Sequence, residues 1–428
     1  MGMGSMRGSR LTSGLVASLV VMALVLSACS SSPHASSSST AAGSGGFKAG
    51  VYKVGGVFAL TGSYSGTDIG SAASLEATVA EINASGGVLG HKLEYKIVDD
   101  ASNPSKAVLA TQELISDFQP NVMFPGIECE LASAGVPVTD NAHVLSFTGC
   151  DDGTDTTASK FPYNFASFPP ESTDGPSLVQ GAAIALKGEK PVIGYLHSND
   201  AAGTGEVPSV EQATKAAGYK WVGDQAFAVG TADLTVQMSQ LKQAGANVVI
   251  LWGQVGDAGT AMKAAAALNW NVQVVGNTGV TDSSLVSEIP AGYVTNFHAV
   301  ADAISVRVPG RGLPAFVNSL SKFTNYGPVS NLSVVGAVHD GLMIWKWAVE
   351  KAKSVDPTKV IKALDSMKNL KPSQFPSGLL LVSNPAYTSA QHGELYANLV
   401  HAWGLISAST SVEGSYTGTL FTCNACKS

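Results

Sequence analysis

Two observations predict an α/β fold built as two doubly wound lobes of parallel sheet. The first is a regular alternation of short apolar runs with helix-like stretches between Tyr52 and Val275. Alternating strands and helices make parallel sheets with helices on both faces. The second is size. About 380 residues follow a low-complexity stretch that ends at Gly46, too many for one ordinary core, so two domains are expected.

The elements follow in order. Tyr52–Leu60 reads as a buried strand and runs into the polar, Gly-bearing loop Thr61–Gly66. Ile69–Ile82 carries Ala and Leu at helical spacing and stops before Gly86-Gly87, where Gly supplies the left-handed residue that ends a helix. Leu93–Val98 alternates and reads as a strand; Asn103-Pro104 opens a helix that runs to Asp117; Val122–Phe124 is a further strand. The second half repeats the rhythm. Val192–Leu196, a strand beginning at Gln225, Val248–Trp252 and Val272–Val275 are strands, and Val207–Ala217, Leu234–Ala244 and Gly259–Leu268 are helices. Val334–Ala352 is helical, and at least one of Trp345 and Trp347 should pack in a core. Open α/β sheets bind ligands outside the carboxyl ends of their strands. The loops of interest therefore follow Leu60, Phe124, Leu145, Leu196, Trp252 and Val275.

The start of the chain is an export signal. Arg7 and Arg10 precede the apolar run Leu15–Leu26, and Leu26-Ser27-Ala28-Cys29 ends it. A charged start, a short apolar core and small residues before a cut site are the marks of such a signal. Cys at the cut position resembles a bacterial lipoprotein signal, which implies that residues 1–28 are removed and Cys29 is lipidated. The run is shorter than the roughly 20 residues a spanning helix needs, and no later segment is apolar for long enough. Residues 29–46 are almost all Ser, Ala, Gly, Thr and Pro and read as a flexible tether. The expected location is the extracytoplasmic face of the cell membrane, held by lipid alone.

Composition narrows the function. The chain has 25 Lys and Arg against 32 Asp and Glu. Loss of Arg7 and Arg10 leaves 23 − 32 = −9, a poor balance for nucleic acid. With Cys29 on lipid, four of the five cysteines remain. Cys129 and Cys150 are close enough in sequence to pair, two free thiols being the alternative. Cys423 and Cys426 form a Cys-x-x-Cys in a tail rather than at a helix start, so a disulfide there is the plain reading and its role stays open. Neither pair has a matching His motif, and no metal or cofactor is expected. Enzyme signatures are missing from the sequence. No His-Glu-x-x-His occurs, Pro208 takes the third Gly position after Gly203-Thr204-Gly205, and Tyr64 takes the nucleophile position within Gly62–Gly66.

A family resemblance rests on an ordered series. Ala59-Leu60-Thr61-Gly62 is followed by Glu81-Ile82-Asn83, Gly86-Gly87-Val88-Leu89-Gly90, Asp99-Asp100 and Pro104. Ile193–His197, Trp252-Gly253 and Gly276-Asn277-Thr278-Gly279 agree later in the chain. Together these resemble the leucine/isoleucine/valine-binding proteins, solute receptors of ABC importers. The resemblance implies two lobes joined by three crossovers, with the ligand in the cleft between them and an ABC permease with its ATPase as partners. It places crossovers near Phe161–Phe168, Tyr293–Asp302 and Leu381–Tyr396. The first lobe is then 47–163 with 303–381, and the second 164–302 with 382–428. The alternative is a receptor of the same fold that reports ligand to a membrane signalling partner.

Carried over residue by residue, the resemblance puts Ser63, Tyr64, Thr67, Glu128, Glu130, Thr148, Cys150, Asp151, Ala202, Trp252, Gln254 and Thr278 at the cleft. The amino-acid chemistry does not carry over with the location. Glu128, Glu130 and Asp151 fall where the family grips a carboxylate, and Thr278 stands where an acidic residue often holds the amino group. Acidic loop residues on a solvated rim are the plain reading; if they face the cleft, they favour a cationic or hydroxyl-rich solute. Tyr64 and Trp252 could stack on it. The family's frequent disulfide would need a Cys at Ser102, so Cys129–Cys150 would be a substituted bond. His339-Asp340 lies where the family has a Tyr-centred helix motif and reads as structural.

The lipoprotein reading predicts that Cys29→Ala moves the protein to the soluble or secreted fraction, or leaves it unprocessed. Mass spectrometry showing an unmodified mature chain with a different start would overturn it.

Overall fold

The computed structural model describes residues 48–149, 155–168, 174–281, 285–307, 315–323 and 331–367, with short pieces between 325 and 392 and the backbone of 402–412 and 415–422. The expected leader and tether, with Cys29, lie outside the described residues, as do Cys150, Asp151, Cys423 and Cys426.

The first sheet is wholly parallel. Its strands are β1 (Val51–Phe58), β2 (Lys92–Asp99), β3 (Val122–Phe124), β4 (Ser146–Thr148) and β5 (Asn164–Ala166), in the order β2-β1-β3-β4-β5. Between them run α1 (Ser65–Ala84), α2 (Pro104–Glu113) and α3 (Cys129–Asn141). The start of α2 follows from its sequence. Asn103 accepts a hydrogen bond from the Lys106 N–H at 3.1 Å, and Pro104 sits where the missing N–H has no intrahelical partner to lose. A π-helical turn, Leu114–Phe118, extends it to a left-handed stop at Gln119.

The second sheet has eight strands. α4 (Asp174–Ala185) leads into β6 (Val192–Ser198). There follow α5 (Ala201–Gly205), α6 (Val207–Ala216), β7 (Lys220–Phe227), α7 (Thr235–Gln243), β8 (Val248–Trp252), α8 (Val255–Ala267), β9 (Gln273–Gly276), α9 (Leu285–Glu288) and β10 (Phe297–Asp302). Strands β7-β6-β8-β9-β10 are parallel. Beyond β10 the sheet continues with β12 (Ala402–Val412) and β13 (Ser415–Thr422), antiparallel, and the short β11 (Val306–Arg307).

After β11 and α10 (Ala315–Ser319), the chain returns to the first sheet as α11 (Leu332–Ala352) and α12 (Pro357–Leu364). Phe58, Leu75, Ile82, Phe124, Phe147, Phe165, Leu342 and Trp345 share one buried core under α1 and α11. Val57, Ala107, Leu114, Met123 and Leu131 form the core on the opposite face. The sheet is thus wound on both sides. Trp345 is fully buried and Trp347 only partly. Burial of a large aromatic side chain contributes about 3–5 kcal/mol relative to alanine.

Asp340, buried on α11, accepts hydrogen bonds from the Leu380 and Leu381 N–H groups at 2.8 Å each. Its neighbour His339 places Nδ1 2.8 Å from Asp340 and Nε2 3.8 Å from Glu81. The pair ties a later segment of chain to the helix, a structural role.

Several expectations shift. Residues 164–166 belong to the first sheet rather than opening the second lobe, because the Asn164 side chain is locked there. Its Oδ1 accepts from the Ser146 hydroxyl at 2.8 Å and its Nδ2 donates to the Asp155 carbonyl at 2.9 Å. Tyr387 and His392, expected in the second lobe, pack on the first: the Tyr387 hydroxyl donates to the Ala166 carbonyl and His392 stacks on Phe165. β7 ends where a strand was expected to begin. α8 starts four residues early, since Gln254 and Asp257 form a reciprocal cap. Cys129 and Glu130 lie on α3 rather than in a loop. No helix among the described residues is long and apolar enough to cross a membrane.

Candidate functional site

Parallel strands deliver their following loops to one edge of a sheet. In this chain the two sheets present those edges to a common cavity of about 110 Å³. A single enclosed water needs about 10–15 Å³ by this measure, so the space suits a small solute. Tyr64 and Thr67 reach it from the segment after β1, Ile127 to Glu130 from that after β3, and Gly149 from that after β4. From the second lobe come Ser198, Asp200 and Ala202 after β6, Trp252 to Gln254 at the end of β8, and Asn277 to Gly279 after β9. Phe168, Asp174, Asn331, Ser333 and Val334 complete the lining.

Local chemistry sets each wall. The Asp99 carboxylate accepts from the N–H groups of Leu60, Thr61 and Ala101 and from the Thr61 hydroxyl. Burial works against its charge, but these bonds win and hold Asp99 below the usual carboxylate range. The turn at Gly62 has φ +91°, open to Gly and strained for other residues. Beyond it the Tyr64 N–H donates to the Ser102 hydroxyl at 3.0 Å and the Tyr64 hydroxyl donates to Glu130 Oε2 at 3.1 Å. This draws Tyr64 inward and turns Ser63 out to solvent. After β3, Gly126 has φ +146°, and a Cβ there would lie 2.6 Å from the Ala132 nitrogen. Only Gly lets this segment fold back onto the start of α3, which sets Glu128 at the cavity wall.

Two weak contacts cross the cleft. The Thr67 hydroxyl donates to Gln254 Oε1 at 3.4 Å, and Asn331 Nδ2 donates to the Thr278 carbonyl at 3.3 Å. On the second lobe, Asp200 caps α5 through the Gly203 N–H at 2.7 Å.

The cavity is acidic. Glu128, Glu130, Asp174 and Asp200 line it, and no Lys or Arg does among the described residues. Asp68 and Asp100 are buried behind the wall. Burial, and then the negative charges of Asp68, Asp200 and Asp100, raise the Glu128 carboxyl well above its ordinary value. Asp68 is pushed up to about 7, by burial first and by Asp100 among its neighbours. Asp100 is pushed up to about 6, again mainly by burial. Burial and the charges of Glu128, Glu130 and Asp200 also raise the Tyr64 hydroxyl.

Of the residues expected at the cleft, Tyr64, Thr67, Glu128, Glu130, Ala202, Trp252, Gln254 and Thr278 line the cavity. Ser63 does not, being exposed. Thr148 is buried within β4, where its carbonyl accepts from Ser167, and lies outside the lining. Cys150 and Asp151 fall outside the described residues. Cys129 lines the cavity and is disulfide-bonded. The sequence reading left out Asp200, Asp174, Asn277 and Asn331. Asp200-x-x-Gly203 after a strand is a helix cap and could have been found. Asp174 and Asn331 follow long connections, and nothing local marks them.

A sequence profile of the periplasmic binding proteins matches residues 51–380. The chain belongs to that family. Its members bind substrates and are not enzymes. The leucine-, isoleucine-, valine-, threonine- and alanine-binding protein of Pseudomonas aeruginosa is 28% identical over 289 residues, 67% of this chain and 74% of its own. The Leu/Ile/Val-binding protein of Escherichia coli K12 is 25% identical over 213 residues, 49% of this chain and 56% of its own. The chain thus spans little more than half of that relative. Among solved structures, the branched-chain amino acid binding protein LivJ of Streptococcus pneumoniae, in complex with isoleucine, superposes with a TM-score of 0.70 at 17% identity, over 87% of this chain and 100% of its own. A solute-binding protein of Rhodopseudomonas palustris in complex with 4-hydroxybenzoate gives 0.69 at 19% identity, over 87% and 96%. These likenesses show the fold: two parallel-sheet α/β lobes.

The buried acids predict a pH dependence. Asp68 and Asp100 have raised folded values of about 7 and about 6, whereas their unfolded values are near 3.9. The folded state therefore binds more protons than the unfolded state in that window, and stability falls as pH rises from about 4 through about 7. His392, whose value burial lowers, acts in the opposite sense below about 6.5. Urea midpoints should therefore fall between about pH 6.5 and pH 8, and Asp68→Asn should flatten that slope. An Asp68→Asn slope equal to the wild type would sink this account.

Proposed function

We propose that this chain is an extracytoplasmic solute-binding lipoprotein, anchored through Cys29, that captures a small polar solute and presents it to an ABC permease and its ATPase. The observation that carries this reading is the cavity built from the strand-end loops of both lobes. The relatives support it, being named for the amino acids they bind. In this reading residues 1–28 are the leader, 29–46 the tether, and the segments between β5 and α4, after β10, and beyond His392 are the crossovers about which the lobes close. Closure shields the solute from water and strengthens its polar contacts. The permease would recognise the closed form, whose population the solute raises.

Branched-chain amino acids fit the cavity poorly. Glu128 and Glu130 stand where a carboxylate would sit, and Thr278 offers no charge to an amino group. Losing a charged partner in a desolvated cleft costs about 2–5 kcal/mol, roughly 30-fold to several-thousand-fold in affinity. In a thermal-shift screen of small polar solutes, one at 100 times its dissociation constant should add about 2.7 kcal/mol of stability. Leucine, isoleucine and valine should give no submicromolar binding by calorimetry. Tight binding of any of the three would refute the specificity, and a screen with no stabilising solute would count against the function.

Cys129 takes Cys150 as its disulfide partner in this reading, joining α3 to the segment after β4 at the cavity wall. Non-reducing peptide mapping should recover the two linked, and reduction should cost about 2–4 kcal/mol of stability. A different partner for Cys129 in the map would end the assignment.

A further inference from the structure

Among the described residues that line the cavity, four are acidic and none is Lys or Arg. No hydrogen-bond donor among the described residues reaches the carboxylate of Glu128, a half-buried residue on the cavity wall. Behind it, Asp100 Oδ2 is buried without a hydrogen-bond partner. Across the cleft, Asp200 uses Oδ1 for the Gly203 N–H. Carboxylates gathered around a small cavity with no positive side chain are costly to keep charged, and a positive group between them relieves that cost. Trp252 and Tyr64 contribute aromatic surface to the same cavity, and aromatic faces attract organic cations. A metal ion does not answer the need, since no three metal-ligating side chains converge among the described residues.

Resting on the solute-binding reading, we propose that the solute is an organic cation, an amine or quaternary ammonium without a carboxylate, held between Glu128 of the first lobe and Asp200 of the second with Tyr64 and Trp252 against its apolar part. Its charge also explains closure. Glu128 and Asp200 come from opposite lobes and repel one another when the cleft is empty. A cation between them turns that repulsion into two attractions, so the closed form is favoured by bound solute. A carboxylate-bearing solute would add a further negative charge to the same low-dielectric space.

The test uses the full folded chain and probes matched in size but not in charge. Putrescine, 4-aminobutyrate and succinate form one series; choline and glycine betaine form another; spermidine, glucose and leucine complete the set. Thermal shift and calorimetry should show stabilisation by one or more of putrescine, spermidine and choline. Their carboxylate-bearing counterparts should bind at least about tenfold more weakly, and the cation's affinity should fall as salt rises. Glu128→Gln should weaken the cation at least about tenfold while raising or preserving the urea midpoint. If that variant fails to fold, the size-matched series on wild-type protein decides alone. Preference for succinate, 4-aminobutyrate, glycine betaine, glucose or leucine overturns the cation while leaving solute binding intact. Stabilisation by no member of the set overturns both.

Discussion

Every strand of a parallel sheet releases its following loop at the same edge, and this constraint organises the molecule. It gathers the segments after β1, β3 and β4 on one side and those after β6, β8 and β9 on the other, though they are far apart in sequence. Helices must then cover both faces of each sheet, which accounts for the return of α11 to the first lobe. What remains open is the edge itself. There the chain gathers carboxylates, amide side chains and aromatic rings around one cavity.

Much of this was legible in the sequence. β8 is a continuous apolar run and β1 and β6 are mostly apolar, the composition of buried parallel strands. α2 announces itself through Asn103-Pro104. β4 and β5 have three residues each, too few for any periodicity. α3 is hidden by Gly135 and by Pro137 within it. At the cavity, Tyr64 and Glu128 could be placed because the family resemblance assigns the segments after β1 and β3 to the cleft. Ser63 was misplaced by a single residue, enough to turn a side chain from the cleft to solvent where a Gly turn sets direction. Asp174 and Asn331 reach the cavity only because tertiary structure carries them there.

The acids differ in kind although they are close together. Asp99 is half-buried and enclosed by donors, so its charge is stabilised. Asp100, its neighbour in sequence, has one donor in the Ser102 N–H and keeps its proton more readily. The contrast shows why residue type alone does not report the charge of a cleft. Hydrogen-bond supply decides it, and supply is set by the turn geometry after each strand.

The outer edge of β10 has a consequence for how the protein comes to be folded. All six residues of β10 are buried, yet its partner β12 begins about 100 residues later, at Ala402. Between them the chain completes the first lobe. Neither lobe is therefore a contiguous stretch that could mature alone while the rest is still being made. Until the distant hairpin docks, β10 offers an unpaired, apolar strand edge, the kind of surface that recruits the wrong neighbour. The two lobes alternate along the chain, so a cut between β11 and α11 would leave each piece holding parts of both.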